Sequence, residues 1–439
     1  MPIPLEQLSM PHPSGYREIT PVDLTRSGYT GRLIDVREPS EYQGELGHLR
    51  GSELVPLGTM AGKAAGWQRE EELVLICRSG NRSGQAAQQL VRLTQCAEPP
   101  RQELFRRLNR APGGTAAIVR LRHALLERLP RQPGLAGVEH DLLHLLGSWF
   151  NPGFLQMRKV DWNSPAQLLE QIIRHEAVHE IDGWDDLRRR LQPDRRCFAF
   201  FHPQLPDEPL IFVEVALLPE MAGAIAPLID KKSPPLPAEA FKVAVFYSIS
   251  NCQPGLRGVS LGNFLIKRVA EQLKRELPQL KTFCTLSPIP GLMGWLRQAM
   301  DPAAVGSAFA GLPQTAMERA VHALALLREA AGNDLQALAH ANTLATLPSA
   351  AHHALWRLAA LYLVHRSPRP GGDPVARFHL DNGARLERLN ANANLLAKGL
   401  RQSAGLMVNY LYDLNRIETC HDRFVAGRVV HARALAALL

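Results

Sequence analysis

Residues 241–277 read FKVAVFYSISNCQPGLRGVSLGNFLIKRVAEQLKREL, and this stretch constrains the fold more than any other. Its opening FKVAVFYSI is expected to form a strand ending near Ile249. A Pro/Gly-rich segment follows, and a helix is expected from about Leu261. In that helix Leu261, Leu265, Val269, Leu273 and Leu277 recur every four residues, an apolar face that has to be covered. Arg257, Gly258 and Gly262 bracket the helix start. The glycines let a ligand approach the backbone closely, and the free N–H groups of a helix N-terminus favour an anion.

The rest of the chain falls into three textures. Residues 16–95 alternate short apolar strands, RLIDV and LVLIC, with helix-like segments such as SGQAAQQLVRL, an α/β pattern. CAEPPRQ at 96–102 reads as a junction. From about 103 to 190 the apolar residues fall at helical spacing, through AAIVRLRHALLERL, DLLHLLGSWF and PAQLLEQIIRHEAVHEI. Strands return with CFAFFHP at 197 and PLIFVEVAL at 209–217. Residues 314–366 are Ala/Leu-rich and helical. After them, RFHLDNGARLERLN and GLMVNYLYDL supply a further strand and helices. The expected organisation is an α/β domain over 1–98, an all-helical domain over 99–192, and an α+β domain over 193–439 with a helical insertion at about 314–366.

With 439 residues, two or three cores are expected. No apolar run reaches the ~18 residues that would cross a bilayer, so no membrane partner is expected. MPIPLEQLSMPHPSGYREI has neither a secretory nor a transit pattern, which reads as a cytoplasmic protein. The six cysteines, at 77, 96, 197, 252, 284 and 420, include no CxxC pair and argue against a disulfide framework or a structural zinc. A formal charge of +8 suits an anionic partner, although Arg-rich helix surfaces would produce the same excess. Aromatic residues make up only 6% and no basic cluster is interleaved with them, so nucleic acid is not expected.

Two motifs carry recognisable chemistry in the first two thirds. In LVLICRSGNRSG (73–84), Cys77 ends an apolar strand and faces a loop that opens a helix. Backbone N–H groups, a helix N-terminus, Arg78 and Arg82 each favour thiolate over thiol. A buried strand cysteine is the bland alternative. Residues 175–179 read His-Glu-Ala-Val-His, the spacing that puts two imidazoles on one helix face for zinc. No third ligand is legible, however, and Asp182 stands where the longer zinc motif needs glycine. An amphipathic helix running through EQIIRHEAVHEIDGW, with no metal, is the expectation taken here.

LIDVREPSEYQGELGHLRGS (33–52) followed by CRSGNRS (77–83) resembles rhodanese-like sulfurtransferase domains. The resemblance implies a Cys77 persulfide, with Arg82 closing a loop of four intervening residues, shorter than that of cysteine phosphatases. The closing strand and Gly-Gly segment usual in that family are not found after QQLVRLTQ.

A second resemblance covers roughly residues 103–420. HPQLPDEPLIFVEVAL, FYSISNCQPGLRGVSLGNFLIK, TLSPIPG, FHLDNGA and GLMVNYLY occur in an order that resembles the malonyl-CoA decarboxylase family. That resemblance implies a helical oligomerisation domain, with a homotetramer suggested, and an acetyltransferase (GNAT)-like catalytic domain. It further implies catalytic Ser287 and His379, and a coenzyme A turn formed by Arg257, Gly258, Val259, Ser260, Leu261, Gly262 and Asn263. Ser248 and Tyr412 fall on its pocket positions. The turn often carries glutamate where this chain has Ser260. Malonyl-CoA and acetyl-CoA are then substrate and product, with no cofactor and no metal. Alternative readings are a sulfurtransferase using Cys77 and a CoA-thioester sensor without turnover.

Overall fold

The computed structural model describes the chain except for residues 1–3, 65, 68–70, 98–99, 260, 262–264, 302–303 and 370, and except for the side chains of 93–97. The described residues gather into two compact units, Met1–Leu108 and Asn109–Leu439.

In the first unit, Arg32–Asp35 lies between Glu53–Leu54 and Leu73–Ile76 in a parallel sheet. Parallel neighbours need crossover connections, which is why the strands alternate with helical segments along the chain. Ile34, Val36, Val55, Met60 and Ala86 form the core, and the half-buried Cys77 packs against it. The helix Asn81–Ala97 starts four residues beyond Cys77.

The second unit is built on an eight-stranded sheet. Gln156–Val160, Arg195–Phe201, Ile211–Leu218 and Val243–Asn251 run antiparallel in that order. Thr282–Thr285 then pairs in parallel with Val243–Asn251, the helix Leu265–Glu276 making the crossover. Met407–Leu411 follows, antiparallel, and also pairs with Ser287–Pro288 and Arg385–Asn390. Nearly every residue of Ile211–Leu218 and Val243–Asn251 is buried. Central strands covered on both faces are apolar throughout rather than alternating. Leu265, Val269 and Leu273 of the expected apolar stripe are buried in the crossover helix.

The central pair carries a bulge. Glu214 lies opposite Ser248 and Val215 opposite Phe246, leaving Tyr247 as the extra residue. Residues 214 and 215 point to opposite faces. Ser248 therefore shares a face with Glu214, while Phe246 points to the other side.

Two expectations are corrected here. The region 99–192 is not all helical, because Gln156–Val160 is a strand at the edge of the large sheet. Only Val160 in it is fully buried, so the short polar sequence QMRKV shows no apolar pattern. The helix expected through EQIIRHEAVHEIDGW ends at His175. Glu176 is extended, and its buried carboxylate accepts the N–H groups of Val178 and His179 at 2.8 and 2.7 Å. Such side-chain-to-backbone bonds compete with the helix ladder, so His175 and His179 do not share a helix face.

Candidate active site

Ser287 and His379, 92 positions apart, meet on the face to which Phe246 points. Thr285 is paired with Phe246, and Ser287 lies two residues further along. The helix Pro374–Asp381 brings in His379 from the other direction. His379 Nε2 lies 2.9 Å from Ser287 Oγ, and His379 Nδ1 lies 2.8 Å from the Tyr412 hydroxyl. Ser287 Oγ donates to Thr285 Oγ1 at 2.8 Å. The imidazole stacks on Tyr410 with ring centroids 4.7 Å apart, and Tyr412 packs edge-on against Phe246. Burial alone pushes the His379 imidazole down to about 3, so the ring is neutral near pH 7. One ring nitrogen of a neutral imidazole accepts and the other donates. The two hydroxyls at its ends therefore decide which nitrogen carries the proton.

The surrounding polar groups hold this arrangement in place. Thr285 Oγ1 accepts the Tyr410 N–H at 3.2 Å, and Asn409 Nδ2 donates to the Thr285 carbonyl at 2.7 Å. Asn409 Oδ1 in turn accepts from Asn390 and Arg388. Asp373, fully buried, caps the His379 helix by accepting the Val375 and Ala376 N–H groups, each at 3.0 Å. Its other oxygen accepts the Gly291 N–H at 2.8 Å, just beyond the Ser287 segment. Burial raises the Asp373 carboxyl, with these N–H bonds opposing that shift. A single carboxylate thus ties the chain carrying the serine to the helix carrying the histidine.

Beside the helix lies a cleft of about 390 Å³ whose lining includes Asn251, Arg257, Gly258, Leu261, Phe378 and Asn382. Arg257 is exposed, and Gly258 has φ +83°, a left-handed conformation open to glycine. Arg257, Gly258, Val259 and Leu261 all line this cleft next to the neighbours of His379 in sequence. His379 itself is not part of the lining and is 3% exposed. Ser260, Gly262 and Asn263 lie outside the described residues.

Of the expected residues, then, Ser287, His379 and Tyr412 come together, and the described part of the turn lines a cleft beside them. Ser248 sits apart from them. Its Oγ lies 2.7 Å from both carboxylate oxygens of Glu176, to which it donates, on the opposite face of the sheet. Thr285, Tyr410, Asn409 and Asp373 were not singled out in the sequence. Thr285 lies two residues before Ser287, and Tyr410 two before Tyr412, so the period-2 rule would have placed each pair on one strand face. Asp373-Pro374 is a helix-start signal.

The Cys77 loop belongs to the first unit. Cys77 Sγ accepts the N–H groups of Gly80 and Ser83 at 3.1 and 3.4 Å and lies 3.3 Å from Ser83 Oγ. Burial pushes the thiol up, but the Ser83 hydroxyl and the Ser83, Ser79 and Gly80 N–H groups outweigh it and leave the thiol lowered. Arg82 turns its guanidinium to Glu41, with bonds of 2.5 and 2.7 Å. That pair draws the Glu41 carboxyl down to about 2. The loop itself therefore supplies the activation expected of the arginines.

Comparison with known proteins adds family information to this geometry. The family profile described as the malonyl-CoA decarboxylase C-terminal domain matches residues 153–439. The corresponding N-terminal domain matches 73–150, and a rhodanese-like domain matches 23–101. A malonyl-CoA decarboxylase of Rattus norvegicus, named as mitochondrial, is 35% identical over 88% of this chain and 78% of its own. The mitochondrial malonyl-CoA decarboxylase of Anser anser anser is 37% identical over 72% of this chain, which spans 64% of that relative's length. The crystal structure of a malonyl-CoA decarboxylase from Rhodopseudomonas palustris superposes with a TM-score of 0.70. It is 46% identical, and the match covers 87% of this chain and 85% of that one.

Proposed function

Because the chain belongs to the malonyl-CoA decarboxylase family, we infer that it converts malonyl-CoA to acetyl-CoA and CO2 at the Ser287–His379 pair. The 2.9 Å contact between a buried serine and a buried neutral histidine carries the residue assignment.

The reaction breaks the bond between the substrate carboxylate carbon and the α-carbon. The electron pair moves onto the α-carbon and into the thioester carbonyl as an enolate, and CO2 departs. The thioester is its own electron sink, so the chemistry calls for no resident cofactor, and coenzyme A enters as part of the substrate. The α-carbon must then receive a proton. A neutral imidazole is a poor donor, but the negative malonyl carboxylate beside it favours the imidazolium. His379 takes up a proton with the substrate and passes it to carbon from Nε2, a step typically worth ~10²–10⁴ in rate. Ser287 donates to the carboxylate or to the developing enolate oxygen, and electrostatic stabilisation of that oxygen is usually the larger effect. Tyr412, at Nδ1, fixes which ring nitrogen carries the proton.

Arg257, Gly258, Val259 and Leu261, with Ser260, Gly262 and Asn263 of the same turn, hold the phosphates of coenzyme A. The exposed Arg257 and the left-handed Gly258 on the wall of the cleft beside Phe378 and Asn382 support that reading. A GNAT-like catalytic fold whose sheet takes in the strand Gln156–Val160 as well as residues 193–439, a homotetramer and a cytoplasmic location complete the reading. No helix among the described residues is long and apolar enough to cross a membrane. Gel filtration and cell fractionation check the last two, with a monomer or recovery in an organelle overturning them.

The deciding assay supplies the full chain with malonyl-CoA and follows acetyl-CoA and CO2. Turnover that depends on Ser287 and His379 supports the reading, whereas tight binding without CO2 release identifies a sensor. The lowered Cys77 thiol, held by two N–H groups, supports a second activity, persulfide transfer by the first unit.

A further inference from the structure

We propose that Arg122 is a positioning residue for the nucleotide end of the substrate, anchoring the Pro254–Gly258 turn to two helices of the second unit. The proposal rests on the reading that this turn holds the coenzyme A phosphates.

Arg122 lies on the helix Gly114–Arg128 and is 1% exposed, one of the largest fully buried side chains in the protein. Its Nη1 donates to the Gly255 carbonyl at 2.7 Å. Nη2 donates to Glu139 at 2.7 Å, on the helix Ala136–Trp149. The guanidinium therefore joins both helices to the 3₁₀ turn Pro254–Leu256. Its planar fork holds both partners in a fixed geometry that a lysine would not reproduce.

Packing presses the same contact. A Cβ at Gly255 would lie 2.0 Å from the Val119 carbonyl oxygen, so only glycine lets the turn seat on the first helix. Leu143 of the second helix lies alongside Gly258. Holding the Gly255 carbonyl fixes the plane of the peptide that follows it. It thereby anchors the start of the segment Arg257, Gly258 and Val259, whose residues line the cleft and whose Arg257 and Val259 N–H groups brace the turn on the Pro254 and Leu256 carbonyls. Arg122 Nε has no partner among the described residues. The Glu139 carboxylate balances the buried cation as an ion pair at 2.7 Å, so Arg122 acts on the turn through geometry and not through net charge. The helices at 114–149, apart from the sheet that carries Ser287, therefore tune affinity for the nucleotide.

The test compares malonyl-CoA with malonyl-pantetheine, which keeps the thioester and carboxylate but lacks the nucleotide. The quantity read is the advantage of malonyl-CoA in kcat/KM. Arg122→Gln is expected to lower that advantage about tenfold, mainly through KM, with kcat on malonyl-CoA near wild type. Arg122→Lys is expected to restore part of it. Gly255→Ala, which pushes the turn off Val119, is expected to reproduce the loss and serves where Arg122→Gln does not fold. Arg257→Ala reports on the turn itself. If Arg257→Ala erodes the advantage while Arg122→Gln and Gly255→Ala preserve it, the turn reading stands and the role of Arg122 is overturned. If Arg257→Ala also preserves it, the turn reading fails and the proposal with it. Equal losses on both substrates would make Arg122 merely structural.

Discussion

The Ser287–His379 cluster and the Cys77 loop solve opposite problems. The cluster is drawn from segments far apart in the chain, and burial decides its protonation by holding a neutral imidazole. The loop is local: the groups that lower its thiol lie within six residues of Cys77 and win against burial. One site gains its chemistry by excluding water, the other by aiming donors at a half-exposed atom. The difference teaches that a perturbed group is interpretable only through the force that perturbs it.

The sharpest way to break this contrast is to remove the histidine. His379→Asn is expected to lower kcat for malonyl-CoA by about 10²–10⁴, with Ser287→Ala comparable, while Cys77→Ser decarboxylates like wild type. Acetyl-CoA formation measures all three, and a sensitive Cys77 variant would show that decarboxylation depends on the thiol.

Asp373→Ala removes a helix cap and strands the Gly291 N–H. A stability loss of about 2–4 kcal/mol is expected by denaturant unfolding. Asp373→Asn, which keeps an acceptor for one of the two contacts, should lose less and retain folded protein with reduced kcat. Equal stability of both variants and wild type would remove Asp373 from the scaffold of the site.

Acid should unmask the buried histidines. His379 and His179 are both held down to about 3, first by burial, against about 6.5 in the unfolded chain. The unfolded state therefore binds more protons, and their contribution to stability is lost as pH falls from about 6.5 toward 3. Glu214, pushed up to about 7 first by burial, works in the opposite sense between about pH 4.3 and 7. The net loss should be slight near pH 7 and steepen toward pH 4. Thermal melts at stepped pH check this, and His379→Asn should flatten the slope.

The smallest effect belongs to the loop. Cys77 should alkylate at lower pH than an ordinary thiol of about 8.5, and Ser83→Ala should shift that profile upward. An unshifted profile would transfer control from Ser83 to the backbone N–H groups alone.

Much of this was legible in advance because it is local. The strands at 209–217 and 241–249 and the leucine stripe of the helix after them are patterns of neighbouring residues. The Cys77 loop closes on itself. By contrast, Gln156–Val160 was unreadable because an edge strand buries only one residue firmly. The helix through residues 175–179 failed because the Glu176 carboxylate also binds Ser248 and Ser250, more than 70 positions away. Arg122 gives no sign in sequence, since a buried arginine and an exposed one look alike until a carbonyl 133 positions away comes to meet it.

The sequence by itself determined the central strands and the helix that joins them, the local cysteine loop, and the motif set that carries the family. Periodicity, turn chemistry and short-range hydrogen bonds act between near neighbours and leave their mark in order along the chain. Only the tertiary structure decided that Ser287, His379 and Tyr412 share one face while Ser248 lies on the other. A one-residue bulge at Tyr247 sets that outcome by reversing the alternation of side chains between Phe246 and Ser248.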